Sequence, residues 1–191
     1  MKILIVSYWT IPHLGGLSTY VLQLKKGLES QGHVVDILCH TQDLMGYKFT
    51  RSTGILPKHK VFNVIHAKVN RFFDHHLPGL DPWIRKMEIE RYSFEAAALF
   101  FGLRGQGYDV VHTQDIITSY AFSRIKMPGV AHVATIHGCL AKEFLVRSKE
   151  SIQPGAQDEQ AIWHHSVVTE YLGATAADIT ISPSQWLKDL F

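Results

Sequence analysis

The feature that most constrains this chain is a strand–helix–strand unit closed within about its first 40 residues. Ile3 to Ser7 is a short, unbroken apolar run that stops at turn-forming residues, the pattern of a parallel strand covered on both faces. Trp9-Thr10-Ile11-Pro12-His13-Leu14-Gly15-Gly16 reads as a loop by its Pro and Gly content. Ser18 or Thr19 is placed to cap the helix that follows, with Val21, Leu22, Leu24 and Leu28 close to one face. Gln31-Gly32 stops it, and Val34 to His40 forms a second strand. Two parallel strands joined this way imply a right-handed crossover.

The alternation continues less regularly. Lys60 to Ile65 reads as a third strand, followed by a loop holding Phe72, Phe73, His75, His76, Pro78 and Pro82. A long helix is expected from about Pro82 to Leu103, ending at Gly105 and Gly107. Asp109 to His112 is a strand, Ile116 to Ile125 a helix, His132 to His137 a strand, and a helix opens near Leu140. Asp158 to Leu172 is helical by content, and Asp178 to Ile181 is a short last strand. Ser182 or Ser184 then caps a helix with Pro183 in its first turn. That helix, Gln185 to Phe191, stops mid-pattern, as expected of a chain that continues further. The predicted fold class is α/β, Rossmann-like and doubly wound, with a mainly parallel sheet and helices on both faces.

Composition narrows the function classes. A net charge of +2 is too small an excess to suggest nucleic-acid binding, though it permits a local basic patch against an anionic substrate or membrane. Two cysteines, Cys39 and Cys139, without CxxC spacing exclude a disulfide scaffold and read as buried thiols at strands or strand ends. The apolar N-terminus is too short for a signal peptide, and no window reaches the roughly 18 apolar residues of a membrane helix. A cytoplasmic setting is the expectation, with a peripheral position at the inner membrane face left open. His75-His76 and His164-His165 are adjacent pairs whose side chains diverge, so no metal site is expected. No G-x-S-x-G elbow is present.

In sheets of this class ligands bind beyond the carboxyl ends of the strands. Three constellations fall there. Pro12-His13-Leu14-Gly15-Gly16 places two glycines ahead of a helix start, where a backbone can approach an anion such as a diphosphate. It lacks both the GxGxxG pattern and the P-loop lysine, and it reads equally as a tight turn. Asp109-Val110-Val111-His112-Thr113-Gln114-Asp115 sets His112, Gln114 and Asp115 at a strand mouth, where polar groups can hold hydroxyls. Its two aspartates read alternatively as caps. Ala134-Thr135-Ile136-His137-Gly138-Cys139 ends an apolar strand on an imidazole, with Gly138 allowing close approach. His137 is suited to hydrogen-bond a transferred sugar or donate to a phosphate. Arg71, Phe72, Phe73, Trp83, Ile84, Arg85, Lys86 and Arg91 form a basic-aromatic region. It suits an interfacial segment on an anionic membrane, an acceptor-binding lip, or an ordinary helix with core aromatics.

Taken together these residues resemble the N-terminal half of the retaining glycosyltransferases of group 1, or family 4. The opening KILIVSYWTIPHLGGLSTYVLQLKKGLESQGHVVDILC carries the family's P-x-x-G-G loop at Pro12 to Gly16. The D-V-V-H strand stands at Asp109 to His112, the T-x-H-G strand end at Thr135 to Gly138, and the late D-x-x-x-x-S segment from Asp178. The resemblance covers nearly the whole chain and implies one half of a GT-B enzyme, two Rossmann-like domains facing a cleft. By resemblance this half holds the acceptor, Gly15 and Gly16 lie near the donor diphosphate, and His137 contacts the transferred sugar as the catalytic residue. His112, Gln114, Asp115 and Gly138 line the substrate side. The donor-binding domain, with its E-x7-E motif, is expected C-terminal to this chain, so the fragment alone is expected to be inactive. The implied chemistry moves a sugar, hexosyl in type, from a nucleotide diphosphate with retention and without metal or other cofactor. The rivals are a noncatalytic ligand-binding α/β module, another GT-B enzyme such as a sugar-nucleotide epimerase, and a noncatalytic interaction protein.

Overall fold

The computed structural model describes residues 1–125, 127–149 and 159–190. Its core is a seven-stranded sheet built from β1 (Lys2–Ser7), β2 (Val34–His40), β3 (Gly46–Phe49), β4 (Leu56–Pro57), β5 (Val110–Thr113), β6 (Ala131–Thr135) and β7 (Ile179–Ile181). The spatial order is β4-β3-β2-β1-β5-β6-β7. The pairs from β2 through β7 are parallel, and β2–β3 and β3–β4 are antiparallel. The order turns outward in both directions from β1, so the crevice between β1 and β5 is the switch point of a Rossmann-like α/β domain.

Both faces of β1 are buried, as its unbroken apolar run requires. Leu4 and Val6 face α3 (Pro82–Phe100) and α4 (Ile116–Arg124) through Phe94, Ala97, Ala98, Ala121 and Phe122. Ile3 and Ile5 face α1 (Gly16–Ser30) through Val21, Leu24 and Leu28. Leu22 points out to solvent instead of joining them. Each buried aliphatic side chain contributes about 1.5–3 kcal/mol of transfer free energy, so the alternation itself fixes the layering.

The middle of the chain departs from the sequence reading. Lys60 to Ile65 is no strand, and Phe72 to His76 is no loop. Both belong to one helix, α2 (Lys58–His76). Val61, Ile65, Val69 and Phe73 recur every four residues and pack against Ile89 and the sheet, a helical stripe that outweighs the β-branched content of the short window. Two short antiparallel strands, β3 and β4, precede it. α3 stops at Phe100, and Leu103 begins a separate 3-10 turn, Leu103–Gly105.

Of the remaining helices, α5 spans Leu140–Lys149, α6 Glu159–Thr175 and α7 Gln185–Lys188. Asp158 and Phe191 lie outside the described residues. Ser184 Oγ caps α7 by accepting from Leu187 N at 3.1 Å, so Pro183 precedes the cap and is not in the first turn. Arg91, nearly inaccessible, is held between Glu88 and Glu95 on its own helix, while His165 of α6 meets Glu88 at 3.1 Å. Gly173 of α6 lies so close to α4 that a Cβ there would sit 2.8 Å from Ile116 O. Cys39 is buried in β2, whereas Cys139 is half-buried in the loop after β6 and not in a strand.

Candidate functional site

The carboxyl ends of β1, β5 and β6 and the starts of α1, α4 and α5 meet at one cleft of about 180 Å³. Tyr8, Leu17, Gln114, His137, Gly138 and Glu143 are among its lining residues. Strand register explains the convergence. β5 and β6 are paired in parallel with Val111 opposite His132 and Thr113 opposite Ala134. Residues of one parity on each strand therefore share a face. His112 and Gln114 of one strand and Thr135 and His137 of the other form two polar rungs on that face. The lower rung joins His112 Nε2 to Thr135 Oγ1 at 2.8 Å, and the upper joins His137 Nε2 to Gln114 Oε1 at 3.2 Å.

The rungs differ in what they can do. His112 is 8% exposed and does not line the cleft. Burial, with the neighbouring His137 and His132 adding to it, lowers its imidazole to about 4, so it is neutral at physiological pH. Its place is beneath the cleft, not among its walls as the sequence reading had it. His137 reaches the cleft, and Tyr20 of α1 packs edge-on against its ring at 5.0 Å. Burial lowers the His137 imidazole as well, which favours a neutral ring. With Gln114 Oε1 opposite, Nε2 carries the proton and Nδ1 is left to accept. Gln114 is fully buried and its Nε2 has no hydrogen-bond partner among the described residues. A buried donor of that kind costs about 1–3 kcal/mol unless something accepts from it.

Asp115 sits in the cleft wall, but its carboxylate is committed to the fold. One oxygen accepts from Tyr8 N at 2.7 Å and the other from Thr118 N at 2.8 Å. It caps α4 and pins the end of β1 to it, while burial pushes its carboxyl up. The capping reading of this aspartate is the one the geometry supports. Asp109 acts similarly, accepting from Lys2 N at 2.7 Å.

The glycine loop presents a helix end that no side chain caps. Gly15, with φ 148°, is the N-cap of α1, and no side chain hydrogen-bonds there. Neither predicted cap serves. Ser18 Oγ accepts from His13 N at 3.0 Å, and Thr19 Oγ1 bonds Gly15 O at 3.2 Å. No acidic residue stands in the first turn. A Cβ at Gly15 would meet the His13 ring at 3.0 Å, whereas one at Gly16 would meet nothing within 4 Å. Free backbone N–H groups and the positive helix end therefore face open space, the condition for holding an anion.

Glu143 and Tyr8 were not singled out from the sequence. Glu143 stands in the first turn of α5, and its Oε1 lies 2.5 Å from where a Gly138 Cβ would be. Gly138 thus lets a carboxylate fold over the strand end beside His137. The only sequence signal for it is an acidic residue in the turn after the strand-end glycine. Glu170 of α6 accepts from Ala141 N at 3.1 Å at the start of that helix. Among the described residues no three His, Cys, Asp or Glu side chains gather as a metal site.

No curated protein matches the chain. A solved structure that resembles it is sucrose-phosphate synthase from Thermosynechococcus elongatus, at a TM-score of 0.55 and 16% identity. The likeness covers 98% of this chain and 43% of that one, so the chain spans under half the length of the enzyme it matches. At that identity the likeness establishes the fold, a Rossmann-like half of the GT-B kind. A family model described as Glycosyltransferase Family 4 matches residues 14–191, and on that match the chain belongs to Glycosyltransferase Family 4.

Proposed function

We propose that this domain supplies the acceptor side of a retaining glycosyltransferase that draws on a nucleotide-diphosphate sugar. The observation that carries the reading is the convergence of the uncapped start of α1, through Leu17, with the Gln114–His137 rung on one cleft, Gly15 and Gly16 standing next to its lining residues in the chain and not among them. The helix start, with Gly15 and Gly16, suits the diphosphate. Gln114 Nε2, the Nδ1 of a neutral His137 and Glu143 suit hydroxyls, the groups a sugar presents. Because His137 is held neutral, its task is to hydrogen-bond the transferred sugar and not to pair with phosphate as a cation.

In the proposed step the bond from the anomeric carbon to the diphosphate oxygen breaks as the acceptor oxygen bonds to the same face of that carbon. The acceptor proton passes to the departing diphosphate. A double-displacement route would need a free carboxylate nucleophile. Of the two carboxylates lining the cleft, Asp115 is unsuited to that role, since both its oxygens accept backbone N–H groups, and Glu143 is assigned here to a sugar hydroxyl. Catalysis then rests on positioning and on stabilising the leaving diphosphate, and calls for no metal.

A cleft of about 180 Å³ is below the roughly 300–1,000 Å³ that encloses a typical ligand. That supports a partner domain, C-terminal in the intact protein, closing over the donor and excluding water. The two free cysteines fit a reducing, cytoplasmic setting. The test is nucleoside-diphosphate release from a panel of UDP-, GDP- and ADP-hexoses, with candidate acceptors, by the full-length protein. Alongside it run His137→Ala and the 191-residue domain alone. Turnover of one donor by the full-length protein, lost in the other two, is the expected result. Tight donor binding or turnover by the isolated domain would replace this reading with a self-contained binding module.

A further inference from the structure

The basic-aromatic region separates into inner and outer residues. Phe73, Ile84 and Arg91 are buried, and Arg85 is tied to Asp74 at 2.6 Å. Of the exposed residues, Lys86 lies on α3, and Arg71 and Phe72 lie on α2. At 100° per residue, Lys60, Val64, Lys68, Arg71 and His75 fall within one stripe about 80° wide. Lys60, Lys68 and Arg71 are exposed and form no ion pair among the described residues. The helix carries four Lys or Arg, of which Lys58 pairs with Glu90 at 2.7 Å, against a single aspartate, Asp74, which Arg85 neutralises.

Apolar groups stand in and beside this stripe. Val64 is 60% exposed and Phe72 52%. At the helix start, Lys58 N donates to Met45 O at 2.8 Å, and Met45 and Ile55 are 65% and 62% exposed. Register locates that end. His40 pairs with Tyr47 and Gly46 with Pro57, so Met45 and Lys58 lie at the carboxyl end of β2, the sheet edge that also carries Ser7 and Gln114. The stripe therefore begins at the edge of the sheet on which the cleft opens.

We propose that this outer face of α2, with Met45 and Ile55 at its head, rests on an anionic lipid surface and so sets the cleft edge against the membrane. Unpaired cations spaced along about 16 Å of helix complement anionic headgroups, and Val64, Phe72, Met45 and Ile55 are apolar groups that can enter the headgroup boundary. An acidic protein partner would match the charges but gives no reason for exposed Phe72, Met45 and Ile55 around them. The inference concerns binding and does not depend on the proposed reaction.

The experiment is co-sedimentation of the full-length protein with vesicles of phosphatidylcholine alone or mixed with phosphatidylglycerol, at about 0.05 M and 0.5 M salt. Binding to the anionic vesicles only, released at high salt, is expected. Lys60→Glu/Lys68→Glu/Arg71→Glu should lower partitioning by roughly a hundredfold with an unchanged circular dichroism spectrum. Arg71→Gln and Phe72→Ser, singly, should each lower it by several-fold, and they stand in if the triple variant does not fold. No binding by wild type at low salt overturns the proposal, as does undiminished binding by the variants. Equal affinity for soluble polyglutamate, unaffected by Phe72→Ser, overturns it too, because the stripe then serves an acidic macromolecule.

Discussion

Replacing Gly173 by Ala should destabilise the domain even though alanine is the better helix former. Gly173 lies inside α6, where the exchange by itself is worth about 1 kcal/mol in alanine's favour. Opposing it, the new Cβ would stand 2.8 Å from Ile116 O, 2.9 Å from its Cγ2 and 3.2 Å from its Cα. Two of these are backbone atoms at the start of α4, so no rotamer change relieves them and the helices must separate. Overpacking of this kind costs about 1–3 kcal/mol. Separation also strains the 2.6 Å bond from Ser119 Oγ to Gly173 O, for about a further 1 kcal/mol. The balance is a loss of about 1–3 kcal/mol, or a fall in Tm of several degrees in a domain of this size. Gly27→Ala is the matched control. Gly27 is helical and exposed, with nothing within 4 Å of its added Cβ, and should gain about 0.5–1 kcal/mol. Urea unfolding followed by circular dichroism measures both. A Gly173→Ala protein as stable as wild type would refute the reasoning, because the close α4–α6 approach would then not be a constraint.

Three further outcomes follow from the site and its supports. His40 and His112 have imidazoles lowered by burial from 6.5 to about 4, so the unfolded chain takes up their protons first as pH falls. Their contribution is intact above about pH 6.5 and is lost towards pH 4. At pH 5 each should have cost about 2 kcal/mol, and urea midpoints that do not fall between pH 7 and 5, or a His112→Asn variant with an undiminished slope, would contradict it. Gly16→Ala should leave the melting temperature nearly unchanged yet raise the donor KM several-fold, whereas Gly15→Ala, at φ 148°, should lower stability. Equal donor KM for wild type and Gly16→Ala would remove the diphosphate from that helix start. Gly138→Ala should displace only the flexible end of Glu143, so turnover should fall roughly tenfold at constant stability, and unchanged kcat/KM would show that Glu143 plays no part.

The parallel core was legible because a strand buried on both faces leaves an unbroken apolar run, as at Ile3 to Val6, and turn residues mark its end. The site was legible in outline for the same reason, since strand ends announce where ligands bind. What escaped was set by register and by distant contacts. His112 and His137 look alike in sequence, each ending an apolar strand. Only the pairing of β5 with β6 places one beneath the cleft and the other in it. Asp115 has the residue type of a sugar-binding group, and its commitment to Tyr8 N comes from a residue over a hundred positions away in the chain. α2 was misread because Lys60 to Ile65 is a β-branched window shorter than two helical turns, and its four-residue period shows only when Val69 and Phe73 are included.

The bare start of α1 has a thermodynamic consequence. A helix whose first N–H groups lack a cap is incomplete, and an anion that accepts from them finishes it. Ligand and helix terminus are then linked as folding partners. Occupancy should slow exchange of the Gly16 and Leu17 amides and tighten the packing of Tyr20 on His137, carrying the arrival of a phosphate to the imidazole through one turn of helix.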